Sequence, residues 1–340
     1  MKFTRSKKLV FCNNKGGVGK TTLAFNTAVD FAKKGYKTVL IDLDPQTNLS
    51  KLCLGEEFYE NDLFGDNRKN ITSALKGIID GISDIDLSIP FVPSPTQENL
   101  FILPGSLYLS VFEDALITAF GDAARGATRG YTFTSSIDRI LNFKGQQENV
   151  DIFVIDTSPT LGLLNRVVLL GADYFVVPMM PDRFSVQGIE NLGEVFKRWK
   201  EEWKNTAKAL AKTNKVENQY VLQGEGLFIG YIINSYNVYG KKPIKEHQTW
   251  IEKIPEKVKF YLSEQHSRNG LVEKSWKKPI QIIQDYGQLV PVSQRSMHAI
   301  FDVDPKDIKT FKQGTREKLD KAKEEFPKLG DVILEILTQY

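Results

Sequence analysis

The sequence predicts an α/β fold: a mostly parallel, doubly wound sheet with helices on both faces, followed by a helical C-terminal extension. Three observations carry this. Short apolar runs alternate with helical periodicity from Leu9 to Asn234. A glycine-rich loop joins the first run to the first helix. Two later runs end in acidic residues, at the strand ends where open α/β sheets bind ligands.

The first run, Lys8-Leu-Val-Phe-Cys12, reads as a buried strand, and Thr21 opens a helix whose Leu23, Ala24, Thr27, Ala28 and Phe31 share one face. Between them stands Asn14-Lys-Gly-Gly-Val-Gly-Lys-Thr-Thr22, which matches G-x-x-x-x-G-K-[ST] except at its first position. Asn14 replaces the glycine and Lys15 follows it, so the loop carries two lysines. Gly16, Gly17 and Gly19 allow backbone N-H groups, with those of Val18 and Thr22, to turn around phosphate oxygens; Lys20 reaches the outer phosphates and Thr21 offers a hydroxyl to Mg²⁺. The stretch Val39 to Asn48 reads as a second buried strand ending in two carboxylates, Asp42 and Asp44. Asp151 to Pro159 reads as a third, carrying Asp156. Taken alone, Asp44 before a proline reads as a turn cap; its spacing to Asp42 and the loop points to a site. Lys15 alone also reads as a solvated surface lysine.

The set Lys15-Gly-Gly-Val-Gly-Lys-Thr-Thr, Asp42-Leu-Asp-Pro-Gln and Asp156-Thr-Ser-Pro, in this order, resembles the ParA/MinD group of deviant Walker A P-loop ATPases, and ParA most closely. Asn99 to Ser106, Val177-Pro178, Ser185 to Leu192 and Gly230 to Asn234 match later landmarks, so the likeness runs from about residue 7 to 240. The resemblance implies ATP and Mg²⁺ as cofactors and a homodimer with ATP sandwiched between subunits, in which Lys15 reaches the partner's phosphates. It further implies that Lys20 contacts the β and γ phosphates, Asp44 positions the attacking water, Asp42 and Asp156 lie near Mg²⁺ (Asp156 through a water), and Asn234 meets the adenine edge. Ser158 departs from the usual second-last proline of Asp-Thr-Pro-Pro, which bears on the set of that loop.

A chain of 340 residues with 41% hydrophobic content can bury a large core, and it reads as a single domain over 1–340. Residues 120–149, with four glycines, read as a loop-rich excursion around a short helix near Ile137 to Leu141, and 197–225 as a charged helix ending in a polar turn; both look like insertions. Residues 241–340 read as a largely helical extension. Two cysteines, Cys12 and Cys53, exclude a disulfide framework, and the three histidines lack ligand spacing. The basic start runs straight into the first strand, without the pattern of a signal peptide or a preceding helix-turn-helix, and a cytoplasmic, nucleoid-associated protein is expected.

Net charge is only +3, so its distribution matters. Ten basic residues face five acids between Lys241 and Lys278, and seven face four between Val186 and Lys215. Lys197, Arg198, Lys204, Arg268, Lys277 and Lys278 are the candidate contacts to nonspecific duplex DNA, each also readable as a solvated lysine-rich surface. The expected function is a ParA-type switch that binds DNA in its ATP state and is released when a ParB-like partner stimulates hydrolysis, serving DNA partition or cargo positioning. Two alternatives are a MinD-like membrane switch and a metabolic ATP-dependent enzyme. Leu329, Val332, Ile333, Ile336 and Leu337 form an apolar stripe, but Asp331 and Glu335 on the polar face disfavour anionic lipid, so a docked helix and no membrane contact are expected.

Overall fold

The computed structural model describes residues 2–58, 69–211, 217–236, 238–239, 242–243, 245–268, 270–308 and 312–339. In chain order the elements are β1 (Lys7–Phe11), α1 (Lys20–Lys33), β2 (Thr38–Leu43), α2 (Asn48–Leu54), α3 (Ile71–Asp80), β3 (Val92–Pro93) and β4 (Leu100–Leu103). There follow α4 (Leu109–Ala124), α5 (Thr128–Thr134), α6 (Ser136–Gln147), β5 (Ile152–Thr157), α7 (Leu163–Gly171), β6 (Tyr174–Met179) and α8 (Arg183–Ala211). The chain continues through β7 (Leu227–Tyr236), the small hairpin β8 (Val238–Tyr239) and β9 (Lys242–Pro243), α9 (Lys245–Val258), α10 (Val272–Lys277), β10 (Gln281–Gln284), α11 (Leu289–Ser296) and α12 (Gln313–Gln339).

Eight strands form one sheet in the order β10-β7-β6-β1-β5-β2-β4-β3, in which only the short β3 is antiparallel to its neighbour. The central strands are fully buried, as expected of apolar runs without alternation. β1 pairs with β5 and β6, so the chain reverses direction across the sheet beside the phosphate loop, where such folds keep their ligand crevice. One core lies between the sheet and α3 to α9, the other between the sheet and α1, α2, α11 and α12.

One expectation is corrected. Residues 120–149 are helical nearly throughout, in the end of α4, α5 and α6, and contribute Tyr131, Phe133, Ile137 and Ile140 to the core. The segment after residue 241 is largely helical, and within it β10 pairs with β7 and extends the parallel sheet by a strand. The segment 197–225 begins in α8 and reaches a 3-10 turn at Asn218–Tyr220, with 212–216 outside the described residues. The apolar stripe of α12 is packed, with Leu329, Ile333 and Leu337 buried against the α1 side. Among the described residues no helix is long and apolar enough to cross a membrane.

Candidate nucleotide site

The loop leaves β1 after Phe11 and is pinned to β6 at once. Asn13 Nδ2 donates to the Pro178 carbonyl (2.6 Å), and its Oδ1 accepts the Lys15 N-H (3.0 Å). Asn14, the unusual position, lies against α8 at Gly188, where a Cβ would stand 2.8 Å from Asn14 Oδ1. Gly17 and Gly19 take φ of 74° and 83°, the left-handed region that glycine enters without strain. At Gly19 a side chain is excluded twice, since a Cβ would fall 2.0 Å from Asn234 Nδ2. That amide donates to the Val18 carbonyl (2.9 Å), so the end of β7 props the loop from behind.

Over the loop opens a cavity of about 1060 Å³ lined by Gly16, Gly17, Gly19, Lys20, Thr21, Thr22 and Asp44, and on the far side by α2 and α11. Lys20 is buried beneath it. Desolvation lowers its pKa, and the charges of Asp156 and Asp44 counteract this. Thr21 Oγ1 donates to Asp156 Oδ2 (2.6 Å), while Asp156 Oδ1 is buried with no partner among the described residues. Burial, reinforced by neighbouring Asp42, pushes Asp156 up to about 7. Asp42 is turned elsewhere: it accepts the Ser50 N-H (2.8 Å), the Ser50 hydroxyl (2.6 Å) and the Asp44 N-H (3.2 Å), and burial raises it to about 6 despite them. Gly105 backs onto this carboxylate, at a distance that leaves no room for a Cβ.

Asp44 has two engagements. Its Oδ1 caps the following turn through the Gln46 N-H (3.0 Å), and it also faces the cavity. Lys15 does not line the cavity. Its ammonium turns aside to an ion pair with Asp182 at the start of α8, and lies 5.9 Å from the Phe184 ring centroid. Burial alone would raise Asp182; the Lys15 ammonium and the Ser185 N-H outweigh it and hold that carboxyl below its ordinary value.

The donor set fits a magnesium nucleotide. A glycine cradle, a buried ammonium, a threonine hydroxyl and an orphaned carboxylate oxygen converge at one end of the cavity. Among the described residues no cluster of three or more His, Cys, Asp or Glu could hold a metal. Thus Gly16 to Thr22, Asp44 and Asp156 come together as anticipated, with Asn234 behind the loop and Asp42 one layer deeper. The sequence reading missed Asp182, and also Pro291, Gln294 and Arg295 of α11, which close the cavity from the C-terminal segment. The candidate DNA contacts divide. Lys197 and Lys204 border a separate cavity, Arg268 pairs with Glu225 (3.2 Å), Arg198 lies 4.0 Å from Glu202, Lys277 pairs with Glu273 (2.8 Å) and Lys278 is exposed.

Comparison with known proteins agrees with this geometry. A family model described as an AAA domain matches residues 6–210. An uncharacterized protein of Methanocaldococcus jannaschii is 32% identical over 233 residues, 68% of this chain and 74% of that protein. The chromosome-partitioning ATPase Soj of Treponema pallidum is 32% identical over 197 residues, 56% of this chain and 64% of that one. The chain therefore spans a little under two thirds of that partition relative. Among solved structures, protein DIP2308 of Corynebacterium diphtheriae has the same fold, with a TM-score of 0.73 and 22% identity over 97% of this chain and 98% of that one.

Proposed function

We propose, for a chain that belongs to the ParA/MinD family of P-loop ATPases, that it is a partition or positioning switch whose ATP-bound state is a homodimer. One observation carries this reading. Of the two lysines in the loop, Lys20 serves the cavity of its own chain, whereas Lys15 lies outside that cavity, in a partly exposed ion pair with Asp182. A cation so directed is available to the phosphates of a second subunit, which makes nucleotide occupancy and dimerisation one equilibrium.

In this reading Gly16 to Gly19 and the start of α1 hold the phosphates of ATP, and Lys20 neutralises the outer ones. Thr21 and Asp156 would hold Mg²⁺, which when bound spreads the charge of the β and γ phosphates. Asp44, with one oxygen fixed by the Gln46 N-H, has the other to orient a water for hydrolysis to ADP and phosphate. Asn234 is the residue proposed for the adenine edge, and Asp42 acts through Asp44, whose N-H it holds. Nonspecific duplex DNA is the ligand of the ATP dimer, a ParB-like protein the stimulator of hydrolysis, and the nucleoid the place of action.

Sedimentation and binding to random duplex DNA, with ATP, ADP or no nucleotide, test the proposal on wild type and Lys15→Ala. Wild type is expected to dimerise and bind DNA only with Mg·ATP, with affinity falling as salt rises. Lys15→Ala should bind ATP yet remain monomeric. A wild type that stays monomeric and ignores DNA in ATP would overturn the switch, and rapid turnover on adding a small metabolite would replace it with an enzyme.

A further inference from the structure

A second cavity, of about 620 Å³, lies at the other end of β7 from Asn234, where the strand begins at Leu227. Its walls are the distal half of α8, the segment Gln223 to Leu227, and the helical turn around His266. The nucleotide reading gives it no role.

Its centre is Lys200. The ammonium donates to the Gly226 carbonyl (3.1 Å) and lies 5.1 Å from the Phe196 ring centroid, with no carboxylate at ion-pair distance among the described residues. The neighbouring acid, Glu225, is engaged by Arg268 (3.2 Å). Desolvation holds Lys200 down to about 8, so the protein bears a cost for keeping this cation there. A desolvated charge without a counter-charge is unfavourable unless something supplies one. His266 does not do so. It is 2% exposed, and its Nε2 faces the Gly193 carbonyl (3.2 Å) and so carries the proton, leaving Nδ1 without a partner. Burial first, then the charges of Lys200 and Lys197, keep that ring neutral, with its pKa near 3.

Lys197 and Lys204 flank Lys200 at helical spacings of three and four residues and line the same cavity. Each ammonium carries three donors and no acceptor, and three of them converging from one helix face suit a compact anion with several acceptor oxygens. The exposed Glu201 and Glu264 on the rim limit the site to one phosphate-sized group. We propose that this cavity binds a phosphate group, with Lys200 as its central ligand and Lys197 and Lys204 at its mouth. The phosphate is either free or part of a nucleic acid backbone. The proposal does not depend on the nucleotide reading.

NMR of the full chain with ¹³C-labelled lysine tests it, with Lys200 assigned by the signal lost in Lys200→Met and Lys20 by that lost in Lys20→Met. The titrants are inorganic phosphate, chloride at equal ionic strength, and nonspecific duplex DNA with and without Mg·ATP. Phosphate is expected to move the Lys200 signal and raise its titration midpoint by about one unit, while chloride leaves it in place. A response to phosphate alone identifies a free anion, and a response to the duplex identifies the backbone. If Lys20 responds and Lys200 responds to neither phosphate nor duplex, the cavity is not an anion site and the nucleotide reading stands.

Discussion

Asp156 concentrates the electrostatic strain of the phosphate site. It is fully buried beside Asp42, with one oxygen unpartnered, and its pKa is raised to about 7 from an ordinary 3.8. The folded protein therefore binds more protons than the unfolded chain between these values, and folding stability falls as pH rises through that window. Nucleotide-free protein is expected to lose stability from about pH 4 to pH 7, and Mg·ATP should flatten that slope by giving the carboxylate a counter-charge. Asp156→Asn should stabilise the nucleotide-free protein at pH 8 by about 1–3 kcal/mol and abolish the Mg²⁺-dependent gain on adding ATP. Thermal melts across pH read both; an unchanged slope in the variant would contradict the assignment. This residue was legible in the sequence because a carboxylate ending an apolar strand is chemically conspicuous, and Gly17 and Gly19 because they meet a backbone requirement. Asp182 and Arg295 were not. Each arrives from a distant element, and nothing local in its neighbourhood distinguishes it from an ordinary surface charge.

Among the elements, glycine misled where it served packing. Gly130 and Gly145 read as breakers, yet both lie inside helices, and a Cβ would stand 2.2 Å from the Ala123 nitrogen at the first and 2.4 Å from Ser6 Oγ at the second. Only the folded neighbours reveal that the missing side chain is space for another element, so the sequence suggests loop around a short helix near Ile137 to Leu141 where α5 and α6 stand. Gly330 in α12 is of the same kind. A Cβ there would lie 1.8 Å from Asp30 Oδ2, on a buried carboxylate held by Lys34 (2.6 Å), which also pairs with Asp331 of α12 (2.7 Å). Alanine in a free helix would be worth about 1 kcal/mol more than glycine. Here the clash decides, and Gly330→Ala is expected to destabilise by about 1–3 kcal/mol. Urea unfolding measures it, and a stabilised variant would show that α12 is not seated on α1.

For the whole molecule, the family match ends at residue 210 while the sheet does not. β10 completes it from residues 281–284, α11 closes the nucleotide cavity, and α12 covers α1 with Phe326, Leu329 and Ile333. A chain stopped after residue 240 is therefore expected to expose one face of its core and to show no cooperative melt by circular dichroism. A soluble truncated form that melts cooperatively would mean the C-terminal segment is an accessory. The parallel sheet was legible from apolar runs alone, whereas β10 was too short and too polar for its sequence to declare it. One element spans both of the molecule's charged regions. α8 begins beside Lys15 and Asn14, and 19 residues beyond Ser185 it carries Lys204. A rod of that span is about 28 Å long, so a pivot of about 5° at the end facing the loop would sweep the far lysine through ~2.5 Å. That is enough to make or break a hydrogen bond, so any tilt of α8 at its Lys15 end is enlarged where Lys204 stands.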